Sequence, residues 1–187
     1  MSIFDKFRKQ VTTPLQPQAT TPSGQEETFS FVSLPESLDQ MKALPEAALA
    51  TPFQTAALTV CALCVYGADS KIGAEMLNWL KGPRPLSNYE ISFLADRFRD
   101  GIHVPFSYFR GATPENDYTP SHPFTVTIEA GPYADANPGY KKLHIRSGGA
   151  DNPREIVLRQ KGDGQWLLWE QYLMVSIRQS KSEDPWA

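Results

Sequence analysis

Between Ala56 and Tyr66 the chain reads AALTVCALCVY, apolar at every position except Thr59. A helix with no polar face has to be enclosed from all sides, so whatever else the chain builds must surround this segment. The run is too short to cross a bilayer, which takes roughly 18 apolar residues. Thr51-Pro-Phe-Gln54 supplies its start, with threonine as cap, proline at the first helical position and glutamine three residues after the cap. Gly67 stands where a left-handed cap could end it. Cys61 and Cys64 make a C-x-x-C inside this apolar helix. A redox pair belongs at an exposed helix start after a strand, and a zinc site needs further ligands at suitable spacing. Placed mid-helix between Val60 and Val65, the two thiols read as small core hydrophobes.

Three more helix signals flank the central one. Ser33-Leu-Pro-Glu36 has the capping-box pattern, and Leu34, Leu38 and Met41 mark one face before Pro45. Asp69 or Ser70 opens a segment with Ile72, Met76, Leu77 and Leu80 on one side, ending at Gly82-Pro83. Ser87-Asn-Tyr-Glu90 is a further capping box, followed by Phe93, Leu94 and Phe98 before Gly101. Short joints between four helices predict an antiparallel bundle or a pair of helical hairpins.

After Gly101 the pattern changes. Six of the chain's 16 prolines fall in residues 102–140, which read as extended segments and ordered loops. Phe124 to Ile128 alternates with period two, as do Lys141 to Ser147 and Arg154 to Lys161. Gly162-Asp-Gly164 turns the last of these into Gln165 to Glu170, with Trp166 and Trp169 on opposite faces. The expected class is therefore α+β: an N-terminal four-helix segment (about residues 33–100) packed on a C-terminal antiparallel β-meander (about residues 124–173).

Residues 1–28 are of another kind. Ile3, Phe4, Phe7 and Val11 fall on one helical face, with Lys6, Arg8 and Lys9 outnumbering Asp5. This start lacks the apolar stretch and cleavage site of a secretory signal, which together with two unpaired thiols points to the cytoplasm. Fourteen of the 19 residues from Gln10 to Thr28 are Thr, Gln, Pro, Ser or Gly, a composition that buries too little to order itself. The division expected is an amphipathic start and disordered linker over 1–28, then one α+β domain over 29–187. Ile3, Phe4 and Phe7 would be the residues of a docking start, against a partner groove or the surface of a membrane.

Three stretches resemble a bacterial domain family of unknown function: Met76 to Glu90 (MLNWLKGPRPLSNYE), Gly111 to Pro120 (GATPENDYTP) and the closing Glu183 to Ala187 (EDPWA). The similarity runs from about Phe29 to the end of the chain. It implies a single-domain bacterial protein and carries over no catalytic or binding residue.

Charge and motifs narrow the function. With 18 basic and 21 acidic residues the net charge is −3, so no bulk cationic field favours nucleic acid. Locally, residues 141–161 hold six basic and two acidic side chains. Strand alternation puts Lys142, His144 and Arg146 on one face with Arg159 and Lys161 beside them, a candidate site for an acidic partner. A second candidate is the loop of residues 103–124, where His103, Asp117 and His122 could line a pocket. No metal-ligand spacing, nucleophile elbow, phosphate loop or dinucleotide fingerprint occurs, so neither a metal nor a cofactor is expected. The favoured reading is a non-catalytic protein-interaction module with a protein partner. A small-molecule-binding protein or enzyme with a site near residues 103–124 is the alternative.

Overall fold

The computed structural model describes residues 24–186, and Ile3, Phe4 and Phe7 therefore lie outside the described residues. Five strands, β1 (Glu26–Phe31), β2 (Phe124–Glu129), β3 (Tyr140–Ile145), β4 (Arg154–Gln160) and β5 (Trp166–Gln171), form one antiparallel sheet in the order β1-β2-β3-β4-β5. Between β1 and β2 come α1 (Leu38–Lys42), α2 (Pro52–Ala68), α3 (Ser70–Lys81) and α4 (Asn88–Arg99). Among the described residues, no helix is long and apolar enough to cross a membrane. The fold is α+β, with the helices on one face of the sheet.

The all-apolar segment is where its composition requires it to be. α2 touches all five strands on one side and packs along α3 on the other. Ala56, Ala57, Leu58, Val60, Cys61, Ala62 and Leu63 are wholly buried. Thr59, its one polar interruption, turns its hydroxyl back to the Thr55 carbonyl at 2.8 Å. Thr55 itself donates to the Trp166 carbonyl at 2.6 Å, fastening the helix to the start of β5.

Local chemistry sets the helix starts. Thr51 and Gln54 exchange hydrogen bonds in a capping box with Pro52 at the first position, and Ser87 and Glu90 do the same for α4. Two expected boundaries move. The cap of α1 is Ser37 with Gln40, not Ser33 with Glu36. The same serine-x-x-acceptor pattern recurs four residues along, and there Gln40 also accepts from the Glu36 N–H at 2.8 Å. Gly67 does not end α2, which runs one residue further. Its missing side chain is used instead to admit the Phe98 ring, which a Cβ would approach to 3.2 Å.

The first element is a strand that the expected order, helices before strands, does not contain. Glu26–Thr28, expected as linker, are paired with Glu129, Ile128 and Thr127 at the sheet edge. Phe29 and Phe31 turn toward the core, while Thr28 and Ser30 meet Thr127 and Thr125 across the outer face at 2.8 and 3.0 Å. From β2 to β5 the alternation follows the expected pattern. Leu143, Ile145, Ile156 and Leu158 are wholly buried, and the residues alternating with them (Lys142 and His144, Glu155 and Val157) are on the other face. A bulge breaks the β4–β5 register: Leu168 pairs with Leu158 and Glu170 with Val157, leaving Trp169 as the extra residue on the outer face.

Candidate functional site

The five basic side chains expected to make a cationic strand face do lie on or next to the outer face of the sheet, but most are already matched. Lys142 reaches Glu155 at 3.1 Å, and His144 stands 4.0 Å from the same carboxylate across the β3–β4 pair. Arg146 binds Glu129 at 2.8 Å. Lys161 lies beyond the strand, in the turn, where its 2.8 Å bond and the Gln165 N–H hold the Asp163 carboxyl below its usual range. Exposed pairs like these add little stability, yet they remove the local excess of positive charge. Arg159 is the exception and makes no ion pair among the described residues.

The loop residues are also engaged. His103 stacks on Tyr118, ring centroids 5.0 Å apart and ring planes nearly parallel, and its Nδ1 is 3.2 Å from a Glu183 carboxylate oxygen. Asp117, in the left-handed region at φ 52, accepts from the Ser182 N–H at 2.9 Å. That bond and the Ser182 hydroxyl hold its carboxyl below the ordinary range. The turn Lys181–Glu183 thus clasps the loop from outside. His122 is directed elsewhere, edge-on against Phe124 with centroids 4.5 Å apart. Among the described residues, no group of three His, Cys, Asp or Glu side chains could hold a metal ion.

A different constellation gathers at β5. The chain from α3 to α4 wraps the strand's edge, with Gly82 at φ 61 where its α-carbon sits against Leu167. This brings the Arg84 guanidinium 4.2 Å from the centre of the Trp169 ring, while Arg159 rests 4.9 Å from the same ring and 5.3 Å from Tyr140. Tyr140 meets Trp169 edge-on at 5.4 Å. Among the described residues neither arginine has a carboxylate partner within ion-pair distance. Two guanidinium groups that make no ion pair among the described residues therefore rest against one indole.

Next to this stack is a cleft of about 350 Å³ between α4 and β5. Leu77, Leu86, Phe93, Leu94, Leu168 and Val175 make its walls apolar. Lys81 and Glu90 form its polar corner, 2.7 Å apart, and Lys81 also donates to the Trp169 carbonyl at 3.1 Å. Burial acts to raise the Glu90 carboxyl, but the bonds from Lys81 and Ser87 outweigh it and leave it below its ordinary range. Tyr89 (79% exposed) and Tyr172 (47% exposed) flank the opening. Glu170 and Tyr172 are shared with a second hollow on the outer face, lined by Tyr133, Tyr140 and Trp169. The arrangement offers an apolar slot, aromatic edges and positive charge side by side, with the Lys81–Glu90 pair in its polar corner. Of its members, sequence reasoning reached only Arg159. A proline-flanked arginine, Pro83-Arg-Pro85, was the one local signal of a fixed, presented guanidinium.

An α+β protein with helices on one face of a meandering sheet, and an aromatic–arginine edge at its last strand, is the class so defined. The chain belongs to the family described as Domain of unknown function (DUF6935), whose model matches residues 33–181. That match includes α1 to α4 and β2 to β5, and leaves β1 and the Glu183–Ala187 segment outside. Comparison with curated proteins and with solved structures gave no match.

Proposed function

We propose that this is a bacterial, cytoplasmic, non-catalytic protein-interaction module. It uses the β5–α4 edge to hold an extended segment that carries an apolar side chain next to a carboxylate. The observation behind this reading is the pair Arg84 and Arg159, both braced on Trp169 and in no ion pair among the described residues, with Arg84 lining the apolar cleft beside Glu90 and Glu170. Tryptophan, tyrosine and arginine are the side chains in which binding energy concentrates at protein interfaces. A braced guanidinium loses less freedom when it meets a carboxylate than a free one does. Positive charge at this edge also keeps the expectation of an acidic partner, moved from the strand centre to the strand margin. The alternative, a ligand or catalytic site at residues 103–124, has less support because Glu183 and Ser182 already occupy His103 and Asp117.

Selection of phage-displayed random 12-residue peptides on the full chain tests the proposal. Enriched peptides are expected to pair an acidic residue with an aromatic or branched aliphatic one. R84E/R159E should weaken them at least tenfold, the equivalent of about 1.4 kcal/mol. Enrichment of nothing above background, or of peptides that bind R84E/R159E and W169A as well as the unmodified chain, would overturn it.

A further inference from the structure

The chemistry that the β5–α4 edge calls for is displayed by the chain itself. Glu183-Asp-Pro-Trp186 joins two carboxylates to an indole through a proline that limits the backbone. Trp186 is 92% exposed, a large apolar ring left in water. Asp184 accepts the Trp186 N–H at 2.9 Å, so the acid and the ring sit on one protruding turn, and Asp184 makes no ion pair among the described residues. We infer that the segment taken by the cleft is this one, from a second copy of the chain: Trp186 enters between α4 and β5, and Asp184 meets Arg84.

Size and charge both fit. A tryptophan side chain buries roughly 150–250 Å² when enclosed, and a slot of about 350 Å³ lies within the range of pockets that hold such groups. Apolar walls receive the ring, and the Arg84 guanidinium receives the Asp184 carboxylate, Glu183 staying on His103. The chain's own cleft is not the destination. After Val175 at the cleft, the tail is tied down by Tyr118 to the Arg178 carbonyl at 2.7 Å and by Asp117 to the Ser182 N–H at 2.9 Å. Folding back would break both. Between copies, tail and cleft are different surfaces, so each contact is heterologous and builds an open chain or a closed ring, a ring of two being a reciprocal exchange of tails. With one side chain as anchor the interface is small and the association weak.

This inference rests on the reading of the β5–α4 edge as a peptide-holding site. Its test is sedimentation velocity of the full chain from micromolar to near-millimolar concentration. The unmodified chain is expected to associate as concentration rises, and W186A and R84E/R159E each to remain monomers. Mixed together, those two should form a one-to-one pair that grows no further, because W186A keeps the cleft and R84E/R159E keeps the tail. An unmodified chain that is monomeric throughout, or a W186A that associates like it, would overturn the inference. A labelled peptide of residues 180–187 titrated into the full chain provides a measurement independent of how R84E/R159E folds, with saturable binding lost on R84E alone expected. Failure of this peptide where acidic–aromatic library peptides still bind would remove the self-association alone; failure of both removes the site reading with it.

Discussion

Lys81, with 2% of its side chain exposed, places Nζ 2.7 Å from a Glu90 carboxylate oxygen and so joins the last turn of α3 to the first turn of α4. The same ammonium reaches β5 through the Trp169 carbonyl. One buried charge therefore fixes the three walls of the cleft relative to one another.

The two halves of that pair should not be equivalent to mutation. E90A strands a buried ammonium and removes the α4 capping box, which costs about 3 kcal/mol. In a domain of this size that lowers Tm by roughly 6–12 °C. K81M leaves a carboxylate still bonded by Ser87 and partly in solvent, and should cost less than about 1.5 kcal/mol. Equal losses in thermal unfolding would contradict the account. Because the Glu90 carboxyl is depressed in the folded state, its contribution is present above pH 4.5 and is lost as pH falls through the folded value. E90Q should accordingly flatten the fall of Tm on acidification below pH 4.5.

Gly73 and Gly162 should separate sharply. A Cβ on Gly73 would overlap the Tyr66 backbone where α2 and α3 cross, whereas one on Gly162 meets nothing within 4 Å. G73A is expected to cost about 3 kcal/mol or more in denaturant unfolding, since neither helix can withdraw. G162A should stay within about 0.5 kcal/mol of the unmodified chain.

Both thiols should be silent while the fold is intact. Cys61 and Cys64 are fully enclosed, and burial pushes both thiols well above their ordinary range. At pH 8 a disulfide-exchange reagent such as DTNB should find no reactive thiol, then two per chain in guanidinium chloride. Rapid reaction under native conditions would place the C-x-x-C outside the core.

Asp117 should control the tail more than the fold. D117A removes the acceptor for the Ser182 N–H, while D117N retains an acceptor and a side chain that tolerates the left-handed backbone. Hydrogen exchange in residues 180–186 should quicken at least tenfold in D117A and stay near the unmodified rate in D117N. Identical exchange in all three would show that the clasp does not depend on this bond.

What could be read in advance followed from how local the deciding chemistry is. Thr51, Asp69 and Ser87 cap their helices through neighbours three residues away or nearer, so α2, α3 and α4 were legible to within a residue or two. Leu143, Ile145, Ile156 and Leu158 exposed the meander by simple alternation. β1 escaped because its partner is β2, some ninety residues on, and the pair of phenylalanines that reveal it follow a polar tail. The basic strand face misled for a related reason: Glu129 and Glu155 neutralise it across strands, and a running charge count does not register who stands opposite whom. Arg84 and Trp169 lie 85 positions apart, and only the wrap of the α3–α4 connection makes them neighbours.

Asp69 ends α2 and caps α3 at once, its carboxylate taking the Lys71 and Ile72 N–H groups. No slack exists at that corner. New termini or an inserted domain placed there would have to pull apart two helices that share one residue, and the hairpin would come apart with them. The Gly162–Gly164 turn, exposed and open on all sides, is where the chain could be cut and rejoined elsewhere with its core left whole.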